Sequence, residues 1–314
     1  MPVPDKDSFV EAQKRIQPYV HQTPVLTNSW LDKKTGAQLF FKCENFQKVG
    51  AFKIRGACNA VFQLAEEQVA HGVVTHSSGN HAQALALAAK IRGIKAYIVM
   101  PETAPEVKVA AVKGDGGEVI YCENSDTARE AKVDEVIAQT GATMVHPFND
   151  YHIITGQGTA AMELMEDVRE LDAIVTPVGG GGLLSGTCLA ASYFQPSIDV
   201  YAGEPDGADD AFRSLQKGEI IPNKEVNTIA DGLRTTIGTK NFAIIKDHVK
   251  SIITVTDAEI VEAMHMLWER MKLVVEPSGA VPLAAILKDV QSFSGKRVGI
   301  ILSGGNVDLK NLPF

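Results

Sequence analysis

Val178-Gly179-Gly180-Gly181-Gly182-Leu183-Leu184-Ser185-Gly186 follows the apolar run Ala173-Ile174-Val175-Thr176-Pro177-Val178 and precedes a helical stretch from Leu183 to Phe194. The run before it has the length and continuity of a buried strand, so the glycines lie on a strand-to-helix junction. Four consecutive glycines leave no side chain between the backbone and whatever lies above it. At such a junction the first N–H groups of the helix lack intrahelical acceptors and the helix dipole is positive, which suits an anion and above all a phosphate. The same residues also serve as a flexible turn or a tight helix-sheet contact, and the stretch alone does not choose between these uses.

Working outward, the chain alternates short apolar runs with helical stretches. Strands are predicted at Gln38 to Cys43, Val73 to His76, Ala96 to Met100, Glu118 to Cys122 and Thr143 to His146, then at 173 to 178, Val200 to Gly203, Ile252 to Val255 and Val298 to Leu302. Between them run helices near Asp7 to Arg15, Lys53 to Glu66, Asn80 to Ile91, Ala104 to Lys113, Asp126 to Gln139, His152 to Asp167, Asp209 to Lys217, Asp257 (as N-cap) to Met271 and Ser278 to Asp289. A further short helical piece is expected after Thr23-Pro24. This is the signature of βαβ units and parallel sheets, an α/β fold. The block 72–149 reads as a small domain inserted in a larger one made of 1–71 and 150–314. No internal repeat or long linker interrupts it.

The 314 residues are enough for two packing units with a full core, and the net charge of −8 comes without a basic run. Nucleic acid and anionic membranes are therefore not expected partners. No apolar stretch spans a bilayer, and the start Met1-Pro2-Val3-Pro4-Asp5-Lys6-Asp7 lacks a signal-peptide pattern, so a cytoplasmic protein is expected. Cys43, Cys58, Cys122 and Cys188 have no metal-like spacing and are expected to be free thiols without chemistry.

Three stretches carry candidate chemistry. Gly180-x-Gly182-x-x-Ser185, with Glu204 at the end of the next strand, approaches a dinucleotide fingerprint, but Ser185 replaces its third glycine. Ser77-Ser78-Gly79-Asn80-His81 gathers hydroxyls and N–H groups at another helix start, where it would hold a carboxylate or simply cap the helix. Lys53 follows the apolar Phe52 near a helix start; partial burial would lower its pKa and make it a nucleophilic amine, whereas most single lysines are merely solvated.

Phe52-Lys53-Ile54-Arg55-Gly56-Ala57, Ser77-Ser78-Gly79-Asn80-His81-Ala82-Gln83, Gly179 to Gly182 and Ser303-Gly304-Gly305-Asn306 together resemble, in order and spacing, the fold-type II pyridoxal phosphate enzymes. Within them the chain is most similar to the serine racemase and serine/threonine dehydratase branch. The resemblance implies a tryptophan synthase β-like fold with two open, twisted, mainly parallel sheets and flanking helices. It implies pyridoxal 5'-phosphate on Lys53 as a Schiff base, its phosphate on Gly179, Gly180, Gly181, Gly182 and Leu183, its ring beside Phe52 and Asn80, and its pyridine nitrogen facing Ser303. A hydroxyl at Ser303 does not enforce a protonated ring, so elimination competes with other fates of the carbanion. Ser77, Ser78, Asn80 and His81 would take the substrate carboxylate, and Ser78 matches the serine that lets the racemases deliver a proton to the second face. Ending at Phe314, the chain resembles the short forms, in which feedback inhibition through a regulatory domain is not expected, and the family suggests a homodimer.

Glu204-Pro205-Asp206-Gly207-Ala208-Asp209-Asp210 resembles the cation loop of that branch, with Glu204, the Ala208 carbonyl and Asp210 as ligands for Mg²⁺, Ca²⁺ or Mn²⁺; the alternative is a solvated acidic turn. Departures bear on regulation and substrate. Val49 stands where mammalian racemases have a nucleotide-site threonine, which argues against ATP activation. Glu135 stands where they carry an arginine near the substrate entrance, and Thr235, a substrate-side position, replaces a serine beyond Asp231-Gly232. The expected activity is dehydration of L-serine and L-threonine, with serine racemisation as a second activity. A dedicated racemase, a 3-hydroxyaspartate ammonia-lyase and a non-catalytic amino-acid- or cofactor-binding protein share these motifs.

Overall fold

The computed structural model describes residues 2–314; Met1 lies outside the described residues. Among the described residues ten strands form two sheets: β1 (Val25–Leu26), β2 (Gln38–Cys43), β3 (Val73–His76), β4 (Ala96–Pro101), β5 (Glu118–Cys122), β6 (Thr143–Met144), β7 (Ala173–Pro177), β8 (Asp199–Pro205), β9 (Val249–Val255) and β10 (Arg297–Leu302). The larger sheet has the order β1-β2-β10-β7-β8-β9 and the smaller β5-β4-β3-β6. Every pairing is parallel except the short β1 against β2. Helices cover both faces of a parallel sheet, which is why β4 and β7 are buried at every position and read as unbroken apolar runs.

Three helices determine what meets at the site. Lys53–Val61, Tyr151–Asp167 and Gly182–Phe194 pack side by side through glycine contacts. A Cβ on Gly156 would lie 2.6 Å from the Gly56 Cα, and one on Gly158 would lie 2.5 Å from the Gly186 carbonyl oxygen. Such close approach tolerates no side chain. The first residues of all three helices therefore converge: Lys53, the segment 146–149 and the glycine loop.

A buried ion network fixes the first helix in place. Arg55, fully buried, donates to Glu44 (2.7 and 2.8 Å) and to Glu163 (2.7 and 2.7 Å), and Lys42 reaches Glu163 at 2.8 Å. Opposed charges at this depth hold because each is paired and hydrogen-bonded.

The structure departs from the sequence expectations at a few places. The helix at Lys53 stops at Val61 instead of running to Glu66, because Arg92 takes the carbonyls of Val61 and Leu64 while Gln68 reaches back to the Ala65 N–H to open a separate turn. Thr256, not Asp257, caps the helix to Met271, through a reciprocal capping box with Glu259. A helix at Thr239–His248 was not expected.

Candidate active site

Lys53 opens its helix half-buried, with Nζ 3.1 Å from the Pro147 carbonyl and 5.2 Å from the centre of the Phe52 ring. Burial pulls its ammonium down to about 8, opposed by the negative charge of Glu276. The Phe52 N–H donates to the Ser303 carbonyl (3.0 Å) and Ala51 bridges to Gly304, so the end of β10 lies directly beside the lysine. Ser303 is 3 % exposed.

Packing explains much of the glycine loop. A Cβ on Gly179 would lie 2.8 Å from the Leu233 Cα, and one on Gly180 would lie 2.4 Å from the Phe148 ring. Gly181 has φ +93 and would press on Asn241. Tight contact and ligand approach are thus combined. Gly182 and Leu183 sit in the first turn of their helix, and the first closing bond is from Ser185 N–H to the Gly181 carbonyl at 2.8 Å. Their N–H groups are left for an anion at the positive end of the dipole. Glu204, which a dinucleotide would need at its ribose, is fully buried and engaged elsewhere.

Ser77, Ser78 and Asn80 are half-buried at the end of β3. Asn80 Nδ2 donates to Glu276 (2.9 Å), Asn306 Nδ2 donates to Asn80 Oδ1 (2.9 Å), and the Asn306 N–H donates to Glu276 (3.1 Å). This closed triangle fixes the Asn80 amide and leaves its second N–H to give. Burial and Asp231 push the Glu276 carboxyl up to about 7. His81 buries its ring. Its imidazole is 2 % exposed with Nε2 3.3 Å from the Val145 carbonyl, and burial holds it well below its usual range, so it meets a ligand only through its backbone.

Other expected positions are less concentrated. Thr235 is exposed on the loop between Leu233 and Ile237. Glu135 is on an exposed face, bonded to Lys132 and Gln139 of its own helix. Val49 adopts φ 57, uncommon for a β-branched residue, and its carbonyl accepts from Asn306. All four cysteines are buried and free, and burial pushes the Cys43 and Cys58 thiols up to about 12.

At the acidic loop, Glu204 accepts the N–H groups of Ala211 and Phe212 (2.9 and 2.8 Å), and Asp210 accepts from Asn223 Nδ2 and Ile237 N–H (2.7 Å each). Both side chains are fully buried, so this is not a solvated turn. Burial and then Asp210 raise Glu204 well above the carboxylate range, and burial raises Asp210 to about 6. Among the described residues no group of three or more His, Cys, Asp or Glu side chains could hold a metal.

Residues 16–304 match the family described as pyridoxal-phosphate dependent enzyme. This chain belongs to that family. It is 55 % identical over 309 residues to serine racemase of Dictyostelium discoideum, covering 96 % of this chain and 94 % of that one. A crystal structure of serine racemase from that organism superposes with a TM-score of 0.94 over 97 % of this chain and 99 % of the other, at 54 % identity. The chain is 51 % identical to beta-hydroxyaspartate dehydratase of Paracoccus denitrificans (strain Pd 1222), across 100 % of both chains. It is also 40 % identical to a T.th. threonine deaminase of known crystal structure, with a TM-score of 0.93 over 98 % of this chain and 99 % of the other. The cofactor is pyridoxal phosphate, and the residues fit it: an amine with a lowered pKa, free N–H groups at a helix start and an oriented amide donor.

Sequence reasoning missed Glu276, Phe148 and Asp231 with its partner Lys108. Glu276 left a signal, being the single charge between Leu273 and Leu287.

Proposed function

We propose that the chain eliminates water from L-serine and L-threonine, giving pyruvate or 2-oxobutanoate and ammonia, with serine racemisation as a second activity. The observation that carries this reading is Lys53: an amine near neutral pKa, beside Ser303 and within reach of the charge of Glu276. Pyridoxal phosphate supplies the electron sink for a carbanion at the substrate Cα. Lys53 Nζ takes the Cα proton; the Cβ–O bond breaks as the β-hydroxyl gains a proton and leaves as water. The released enamine, aminoacrylate from serine or aminocrotonate from threonine, adds water and loses ammonia to give the keto acid. Phe52 and Asn80 would hold the ring, with Asn80 giving an amide N–H, while Gly179, Gly180, Gly181, Gly182 and Leu183 would bind the phosphate. Ser303 would offer its hydroxyl to the pyridine nitrogen. Ser77, Ser78, Asn80 and the His81 backbone bind the substrate carboxylate. Ser78 Oγ is the proton group for the second face, and Thr235 lies on the substrate side.

In this reading residues 72–149 form a capping domain over a cofactor domain of 1–71 and 150–314. The protein acts in the cytoplasm as a homodimer and without ATP activation, given Val49. A divalent ion, Mg²⁺ first and Ca²⁺ or Mn²⁺ in its place, sits on Glu204, the Ala208 carbonyl and Asp210. The support is electrostatic: two carboxylates buried close together, with the charge of Asp210 adding to the cost of ionising Glu204, gain most from a hard cation. Elimination from 3-hydroxyaspartate is the second reading, favoured by the 51 % identity to beta-hydroxyaspartate dehydratase. A product assay with L-serine, D-serine, L-threonine and both threo-3-hydroxyaspartates tests the proposal. Keto acid and ammonia from L-serine and L-threonine support it, and turnover of hydroxyaspartate alone replaces it with the second reading.

A further inference from the structure

Two charged side chains, one from each sheet's layer, meet and take no part in the elimination described above. Lys108, on the helix Glu106–Gly114 beside the small sheet, places Nζ 2.6 Å from Asp231 Oδ2 on the loop after Ile229 of the large sheet's layer. They are 123 residues apart in sequence, and their side chains are 32 % and 43 % exposed, so a solute reaches both. Asp231 is held from behind. Its N–H donates to the Ile229 carbonyl (2.9 Å), the Gly232 N–H donates to Ser278 Oγ (3.1 Å), and Leu233 packs against Gly179. Lys108 instead sits on a flexible four-carbon stem. Both charges act on Glu276, Asp231 pushing its carboxyl up and Lys108 pulling it down, and Glu276 bonds Asn80 in the lysine cluster. The pair therefore stands beside the glycine loop and the Asn80 cluster, at the edge of the candidate site.

We propose that Lys108 and Asp231 form a charge selector for the group carried on the substrate Cβ. Paired, they present a nearly neutral rim, which suits the hydroxyalkyl groups of serine and threonine. A substrate with a second carboxylate must displace Asp231 from Lys108 and then lie beside the displaced anion, so it exchanges one ion pair for another and gains little. Removing the charge of Asp231 leaves Lys108 free for the substrate carboxylate. This assigns the charge selectivity to Lys108 and Asp231 instead of Glu135, whose partners lie on its own helix. The selector rests on the functional reading above for its substrates.

The test uses holoenzyme and two amino acids without a β-leaving group, L-aspartate and L-alanine, with dissociation constants read from changes in the visible band of the bound cofactor. Asp231→Asn is expected to raise the preference for aspartate over alanine about tenfold, the scale of one charge-assisted hydrogen bond. The Asp231→Asn/Lys108→Gln double variant is expected to lose that gain. Lys108→Gln alone leaves Asp231 unpaired and is expected to shift the preference toward alanine. An unchanged ratio in Asp231→Asn, or an equal gain in the double variant, overturns the selector. If the wild-type enzyme turns over none of L-serine, L-threonine and 3-hydroxyaspartate, the functional reading fails, while the binding ratios still decide the selector.

Discussion

Replacing Glu276 by Gln changes one oxygen for an NH₂ group and leaves the shape of the side chain intact. In the structure Asn80 Nδ2 donates to both oxygens of that carboxylate, at 2.9 and 3.3 Å, and the Asn306 N–H donates to the second of them at 3.1 Å. A glutamine keeps a single oxygen. If its oxygen keeps Asn306, its NH₂ faces the Asn80 NH₂. If Asn80 flips to relieve that clash, its NH₂ meets Asn306 Nδ2, which now donates to Asn80 Oδ1. Either way one short hydrogen bond is lost, at about 1–3 kcal/mol, which corresponds to roughly 5- to 150-fold weaker pyridoxal phosphate binding if the Asn80 amide must be oriented for the cofactor. A second consequence is pH-dependent. The Glu276 carboxyl is raised from 4.5 to about 7. Between those values the folded protein keeps a proton that the unfolded chain has lost. The group's contribution is therefore fully present below pH 4.5 and is lost as pH rises through about 7, by about 3 kcal/mol at 1.4 kcal/mol per pH unit. Cofactor titration of the apoprotein and thermal melts at pH 5 and pH 8 measure both effects. The difference in melting temperature between wild type and Glu276→Gln should change by several degrees between the two pH values. Equal cofactor affinity within twofold, with a pH-independent difference, would show that Glu276 neither orients Asn80 nor titrates near 7.

Ser78→Ala should remove D-serine formation while sparing much of L-serine dehydration; chiral product analysis checks this, and an equal loss of both would make Ser78 a residue that only positions substrate. Chelation should lower the melting temperature by several degrees, since an ion present at about 100 times its Kd stabilises by roughly 2.7 kcal/mol. Asp210→Asn should abolish that response, and a wild type indifferent to chelator would show that the backbone N–H groups alone satisfy Glu204 and Asp210.

The α/β class was legible because buried parallel strands leave continuous apolar runs: β3 and β5 lie where the runs placed them, residue for residue. The helix Thr239–His248 was less legible, since charged residues flank its apolar positions on both sides and no side-chain cap marks its start. The candidate site was legible where function demands a short local motif, as at Lys53, Ser77 to His81 and the glycine run. What escaped were partners set by tertiary packing. Phe148 lies against Gly180 only because three helices cross through glycines, Arg55 finds Glu163 at a separation of 108 residues, and Lys108 finds Asp231 at one of 123. The inward turn of the His81 ring escaped for a related reason: its helix points the imidazole at the Val145 carbonyl, where burial decides its state.

In the proposed reaction Lys53 carries both cofactor attachment and Cα proton removal. The most direct test compares wild type with Lys53→Ala after reconstitution with pyridoxal phosphate, recording the visible band of the lysine-bound cofactor and pyruvate release from L-serine in the same sample. Loss of both signals in the variant is the predicted result, and pyruvate release persisting without the band would contradict it.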